Sequence, residues 1–61
     1  MGKIKLYSLV RLVSDIEGHP AGTTGTVVFI HNNANAYEVE IDGVIDNDVI
    51  TCLESEIDLV S

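Results

Sequence analysis

Strict alternation of apolar and acidic residues marks the clearest strand of the chain. In "YEVEI", residues 37–41, Tyr37, Val39 and Ile41 point one way, and Glu38 and Glu40 point the other. This period of two is typical of an antiparallel strand with one face on a core and the other in water. The pattern therefore predicts a half-buried strand.

Short β-rich runs and turn residues share the rest of the chain. The predicted strands are "SLVRLVS" (8–14), "TTGTVVFIH" (23–31, extended from about Thr26), "YEVEI" (37–41), "VITCL" (49–53) and "IDLV" (57–60). The predicted connections are a loop over 15–22, a polar turn over 32–36, a turn or wide hairpin over 42–48 and a short helical turn over 54–56. No window favours a long amphipathic helix. We expect an all-β domain over residues 1–61: a small five-stranded barrel, with a long loop after strand 1 and a helical turn before the last strand.

Two glycines, Gly22 and Gly25, stand three apart just before an apolar run. A phosphate-binding loop would need a lysine after its last glycine and a helix behind it. Here no lysine is present and a strand follows, so we interpret both glycines as backbone devices. Each position requires either a positive φ or a close approach to a neighbouring strand.

The parity of side chains predicts an exposed apolar patch. If Val28 and Ile30 face the interior, then Val27 and Phe29 point outward. The same reasoning places Val10 and Leu12 inside, and Leu9 and Val13 outside. An exposed apolar patch on a small protein marks an interface, with an aromatic residue as its anchor. The alternative is a bulge near Gly25, which would invert the parity and bury Phe29.

Three segments together carry a resemblance: "GTTGTVV" (22–28), "AYEVEI" (36–41) and "LESEIDLV" (53–60). With Leu6-Tyr7 ahead of them, their order resembles the SH3-like small barrels of bacteria. These include KOW-type modules, small barrel subunits of photosynthetic complexes and a family of short bacterial proteins of unknown function. The resemblance implies the SH3-like barrel fold but no single function, because small barrels serve many roles. Phe29 departs from the pattern, which usually has a polar residue there.

Charge is distributed unevenly along the 61 residues. The three basic residues are Lys3, Lys5 and Arg11, and residues 12–61 contain all ten acidic residues and no lysine or arginine; the net charge is −7. Such a surface repels the phosphates of nucleic acids, which bind chiefly to lysine and arginine. It attracts a basic protein surface, or alternatively only keeps a small protein soluble.

Acidic residues suggest one binding surface and no catalytic group. Glu38, Glu40 and Asp42 form an acidic stripe for a basic partner, since an exposed strand face does not prepare a carboxylate for acid–base chemistry. The loop with Asp42, Asp46 and Asp48 lacks the EF-hand spacing, so its binding of a cation stays open.

His19, His31 and Cys52 lie too far apart in sequence for a typical zinc site. A Cys–His nucleophilic pair is not expected either, because Cys52 lies in a predicted strand, where a small barrel buries it or points it at solvent without a pocket. We therefore expect no metal, no cofactor and no enzymatic activity. The single cysteine favours a reducing compartment, and no apolar run is long enough for a membrane span. We interpret the start, "MGKIKLYSLVRLVSD", as part of the fold and the protein as cytoplasmic.

These inferences together predict a protein-binding module for a basic protein partner, such as an immunity or antitoxin-type inhibitor. The interface would comprise Phe29, Val27, Leu9, Val13, Glu38, Glu40 and Asp42. Two alternatives remain: an accessory subunit or homo-oligomeric barrel of a larger complex, and a KOW-type module associated with RNA or the ribosome.

Overall fold

The computed structural model describes residues 4–43 and 48–60. Its strands are β1 (Leu9–Leu12), β2 (Thr24–His31), β3 (Ala36–Ile41), β4 (Val49–Leu53) and β5 (Ile57–Leu59). Single 3₁₀ turns occupy Asn32–Ala34 and Glu54–Glu56. In the described part of the chain, no helix is long and apolar enough to cross a membrane.

All five strands form one open antiparallel sheet in the order β4-β3-β2-β1-β5. The eight-residue β2 is central. Its first half pairs with β1, and its residues from Gly25 to His31 pair with β3. The edges of the sheet are therefore β4 and β5.

One face of the sheet carries the core. Its centre consists of Val10, Val27, Val39 and Cys52, all of which are fully buried. Around them pack Leu12, Ile16, Tyr37, Ile41, Ile50 and Ile57. Val10 and Leu12 face inward as their alternation predicted.

A β-bulge in β2 corrects the predicted parity of that strand. The register with β3 shifts between Val27 and Phe29, so Val28 is the extra residue. Val27 is therefore fully buried, and the prediction that it faces outward is wrong. Phe29 is 54% exposed, as predicted, and Ile30 packs against the core. A bulge restarts the alternation, so residues on either side of it follow different parities.

The chain between β1 and β2 is anchored at several points. Ile16 and His19 form an isolated bridge, with two backbone hydrogen bonds of 2.8 Å. Ile16 is buried against the core. The Asp15 carboxylate accepts the Ala21 N–H at 2.9 Å. The His19 Nε2 atom lies 2.6 Å from Asp48 Oδ2, which ties this segment, residues 13–23, to the start of β4.

Candidate protein-interaction surface

The outer face of the sheet, opposite the core, carries two parallel rows of side chains. One row runs across three strands as Phe29, Glu38 and Thr51. The next row runs across four strands and consists of Leu9, Thr26, Glu40 and Val49. Directly opposed residues in a sheet share a face, so each row is a continuous strip of surface.

The Phe29 side chain is positioned by its neighbours. Its ring meets the His31 ring edge to face, with centroids 4.8 Å apart. The His31 Nε2 atom lies 2.7 Å from Glu38 Oε2, and Thr51 Oγ1 donates to the same carboxylate at 3.0 Å. These contacts link four side chains on three strands, so Phe29 is presented from an ordered surface rather than from a loop.

The three acidic residues of the predicted stripe differ in their surroundings. Glu38 is engaged by His31 and Thr51, and its side chain is 25% exposed. The Asp42 carboxylate accepts a hydrogen bond of 3.0 Å from Thr24 Oγ1. Glu40 makes no side-chain hydrogen bond among the described residues and lies between Thr26 and Val49. Glu40 therefore has the least committed carboxylate of the three.

The predicted apolar residues do not form one patch. Leu9, Val13 and Phe29 are each 43–54% exposed, whereas Val27 belongs to the core. Because β1 and β2 are antiparallel with Arg11 opposite Thr24, Val13 lies beyond the start of β2. Phe29 lies near the other end of that strand, so the two residues do not share a contact surface.

Sequence reasoning missed two exposed apolar residues on β4. Val49 is 45% exposed and Leu53 is 51% exposed, on the same face as Thr51. The alternation in "VITCL" contained this signal, since Ile50 and Cys52 take the buried positions. These residues extend the outer face toward the edge of the sheet.

Tyr7 was also missed. It is 73% exposed and has a φ of 70°, a left-handed conformation that bulky residues rarely adopt. Its N–H donates to the Val27 carbonyl at 2.7 Å, which places its backbone beside the β-bulge. Nothing in the local sequence pattern signals this conformation.

The groups with catalytic or metal-binding chemistry are separated from one another. No three His, Cys, Asp or Glu side chains among residues 4–43 and 48–60 lie close enough to hold a metal ion. His19 and His31 each contact a different carboxylate. Asp46, in the acidic loop over 42–48 whose binding of a cation the sequence left open, lies outside the described residues.

Cys52 is fully buried, and its thiol is held in the neutral form. Burial is the main cause that raises its pKa to about 11, assisted by the negative charges of Glu56, Glu17 and Glu38. A nucleophilic cysteine requires the opposite shift, because the thiolate is the reactive species.

Two shallow hollows open on the surface beside the outer face. One is lined by Phe29, Ile30, His31, Asn32 and Asn33. The other is lined by Asn35, Leu53, Glu54 and Ser55. Both are formed by the 3₁₀ turns and the strand residues next to them, so they border the exposed Phe29 and Leu53 side chains.

No protein-family model, curated protein or solved structure matches this chain.

Proposed function

We propose that this chain is a non-enzymatic protein-binding module of the SH3-like barrel class, which binds a basic protein partner through the outer face of its sheet. The surface that binds comprises Phe29 at one end and the acidic residues of β3. An inhibitor of the immunity or antitoxin type, covering the basic nucleic-acid site of a toxin, is one setting that suits this chemistry.

The strand order supports the fold class. In an SH3-like barrel the first strand lies between the second and the last, and the middle three strands form a meander; the order β4-β3-β2-β1-β5 agrees with this arrangement. The turn at Glu54–Glu56 also directly precedes the last strand.

The exposed Phe29 ring is the observation that carries the proposal. The Phe29 side chain is 54% exposed, and removal of its apolar surface from water by a partner makes the free energy of binding more favourable. Its edge-to-face contact with His31 restricts its motion before binding. Less conformational entropy is then lost on association, which is a feature of residues that dominate interfaces.

The negative charge of the chain supports a partner with a basic surface. The net charge is −7, and the outer face near Phe29 carries Glu38 and Glu40. Opposite charge accelerates the encounter of two proteins and disfavours wrong partners. A basic protein surface therefore fits this face better than an acidic one.

The test is affinity capture from the native host, followed by binding measurements with the purified partner. Phe29→Ser should weaken binding about thirtyfold or more, because truncation of an interface anchor commonly costs about 2 kcal/mol or more. Val13→Ser is the matched control, since Val13 is 45% exposed and lies beyond the start of β2, at the other end of that strand from Phe29.

A second pair of variants tests the charge. Glu40→Lys should slow association severalfold at low salt, whereas Asp58→Lys makes the same change of charge on the exposed side of β5 and should slow it less. If Phe29→Ser and Val13→Ser bind equally well, and association is independent of salt, the proposed surface is wrong.

A further inference from the structure

The edge strand β4 exposes a short row of unpaired backbone groups. The Ile41 N–H donates to the Asp48 carbonyl, and the Glu54 N–H donates to the Asn35 carbonyl. Hydrogen-bonded pairs alternate along an antiparallel ladder. The N–H and C=O groups of Val49, Thr51 and Leu53 therefore point away from β3.

Only part of this edge is available. The Leu53 N–H donates to Glu56 Oε1 at 2.8 Å, so the 3₁₀ turn closes that end. The backbone groups of Val49 and Thr51 have no hydrogen-bond partner among the described residues. Both residues are exposed. The edge therefore offers two donors and two acceptors in the spacing of a β-ladder.

The opposite edge is less accessible. The Val60 N–H donates to the Leu9 carbonyl and the Val13 N–H donates to the Glu56 carbonyl. By the same alternation, the backbone N–H and C=O groups of Ile57 and Leu59 point outward from β5, away from β1. Ile57 is only 3% exposed, so an added strand would meet a buried residue there.

We propose that the partner docks by adding an extended, basic segment antiparallel to β4. This deepens the proposed function and rests on it. Residues of the segment opposite Val49 and Thr51 would exchange both backbone hydrogen bonds with them, and their side chains would lie on the outer face.

Charge selects a basic segment over a second copy of this chain. Glu40 and Glu38 are the cross-strand neighbours of Val49 and Thr51. Neighbouring strands lie about 4.8 Å apart, so a lysine on the added strand is about 9.6 Å from β3, which the lysine and glutamate side chains span together. Two copies of a chain with a net charge of −7 would instead repel each other.

The probe is a capped octapeptide in which lysine alternates with valine and threonine, titrated into the ¹⁵N-labelled protein. The amides of Val49 and Thr51 should shift most among β-strand amides and exchange at least about fivefold more slowly with peptide bound, because they become ladder donors. An octapeptide with glutamate in place of lysine should bind at least tenfold more weakly, about the effect of one lost charge contact.

Methylated peptides test the hydrogen bonds without changing the protein. N-methylation of the lysine residues removes the donors that would face β4, and should weaken binding at least about tenfold. N-methylation of the intervening residues removes donors that face solvent, and should leave binding within about twofold. Equal effects of the two modifications, or a loss confined to the intervening set, would overturn the antiparallel pairing.

Protein variants provide the reciprocal test. Val49→Pro removes one outward N–H at the first residue of the strand, where proline is tolerated, and Val49→Ala keeps that N–H. Only the proline variant should lose peptide binding. If sedimentation shows a dimer whose Val49 and Thr51 amides are protected without peptide, a second copy occupies the edge and the proposal is wrong. Loss of partner binding in Phe29→Ser but not in Val49→Pro would remove the edge pairing and leave the proposed function intact.

Discussion

At the scale of single residues, the two glycines that precede the apolar run of β2 serve different purposes. Gly22 has a φ of 94°, and a Cβ atom there would meet open space. Gly25 has an ordinary φ, but a Cβ atom would lie 2.6 Å from the Glu40 carbonyl oxygen and 2.7 Å from Val39 Cγ1. Gly22 permits a turn, and Gly25 permits close contact between β2 and β3.

This difference predicts unequal effects of alanine. Gly25→Ala should reduce the free energy of unfolding by about 2 kcal/mol or more, because the backbone atom it meets has no room to move. Gly22→Ala should cost about 1 kcal/mol, which is the strain of a positive φ. Urea denaturation of both variants measures the difference. A smaller loss for Gly25→Ala than for Gly22→Ala would contradict the close approach.

The buried thiol predicts a loss of stability in alkali. The pKa of Cys52 is raised from 9.0 to about 11 in the folded protein, so between these values the unfolded chain releases a proton that the folded chain keeps. The neutral thiol makes its full contribution to the free energy of unfolding below pH 9. As the pH rises from 9 to 11 this contribution is lost, and the free energy of unfolding falls by at most about 1.4 kcal/mol per pH unit.

The control for this prediction is Cys52→Ala, which removes the titrating group. The native protein should lose more stability between pH 9 and pH 11 than the variant does, while other groups contribute equally to both. The folded thiol should also react slowly with iodoacetamide at pH 8. Parallel stability curves for the two proteins would refute the role of the thiol.

At the scale of elements, His19 connects the segment 13–23 to the start of β4. Its imidazole lies 2.6 Å from Asp48, while Ile16 and His19 bond to each other within the segment. A loop held at its tip opens less often than one held only at its ends.

His19→Ala should therefore speed hydrogen exchange of the backbone amides at positions 16 and 19 severalfold. Loss of the His19–Asp48 contact lowers the local stability of the segment by about 0.5–1 kcal/mol. His31→Ala breaks the other histidine–carboxylate contact, with Glu38, and should leave exchange in this segment unchanged. Equal exchange rates in both variants would show that the contact with Asp48 does not hold the segment.

At the scale of the whole molecule, the excess of negative charge opposes folding. The chain has ten acidic residues and only three basic ones, lysine and arginine. The two ion pairs among the described residues both involve histidine. Repulsion between like charges is greater in the compact state than in the unfolded chain, and salt screens it.

Raising sodium chloride from about 0.02 M to about 0.3 M should therefore raise the unfolding midpoint by about 2–5 °C, measured by circular dichroism. The double variant Glu54→Gln with Asp58→Asn removes two exposed negative charges and should respond less to salt. A midpoint that is unchanged or falls with salt would contradict net repulsion.

The five strands were predictable from the sequence by itself, because each is signalled by neighbouring residues. The run predicted over 49–53 coincides with β4, and the alternation over 37–41 lies within β3. The inward positions of Val10 and Leu12 followed from the same period of two. Local backbone preference and alternation are short-range properties, so a single sequence contains them.

Only the tertiary structure decided the direction of Val27 and the surroundings of Phe29. The bulge at Val28 depends on how β2 pairs with β3, and the His31–Glu38–Thr51 contacts join three strands. Which strands lie at the edges, and hence that the outward backbone groups of Val49 and Thr51 have no partner among the described residues, also depends on long-range order. Pairing between strands is a property of residues distant in the chain, and no local pattern of apolar and polar positions specifies it.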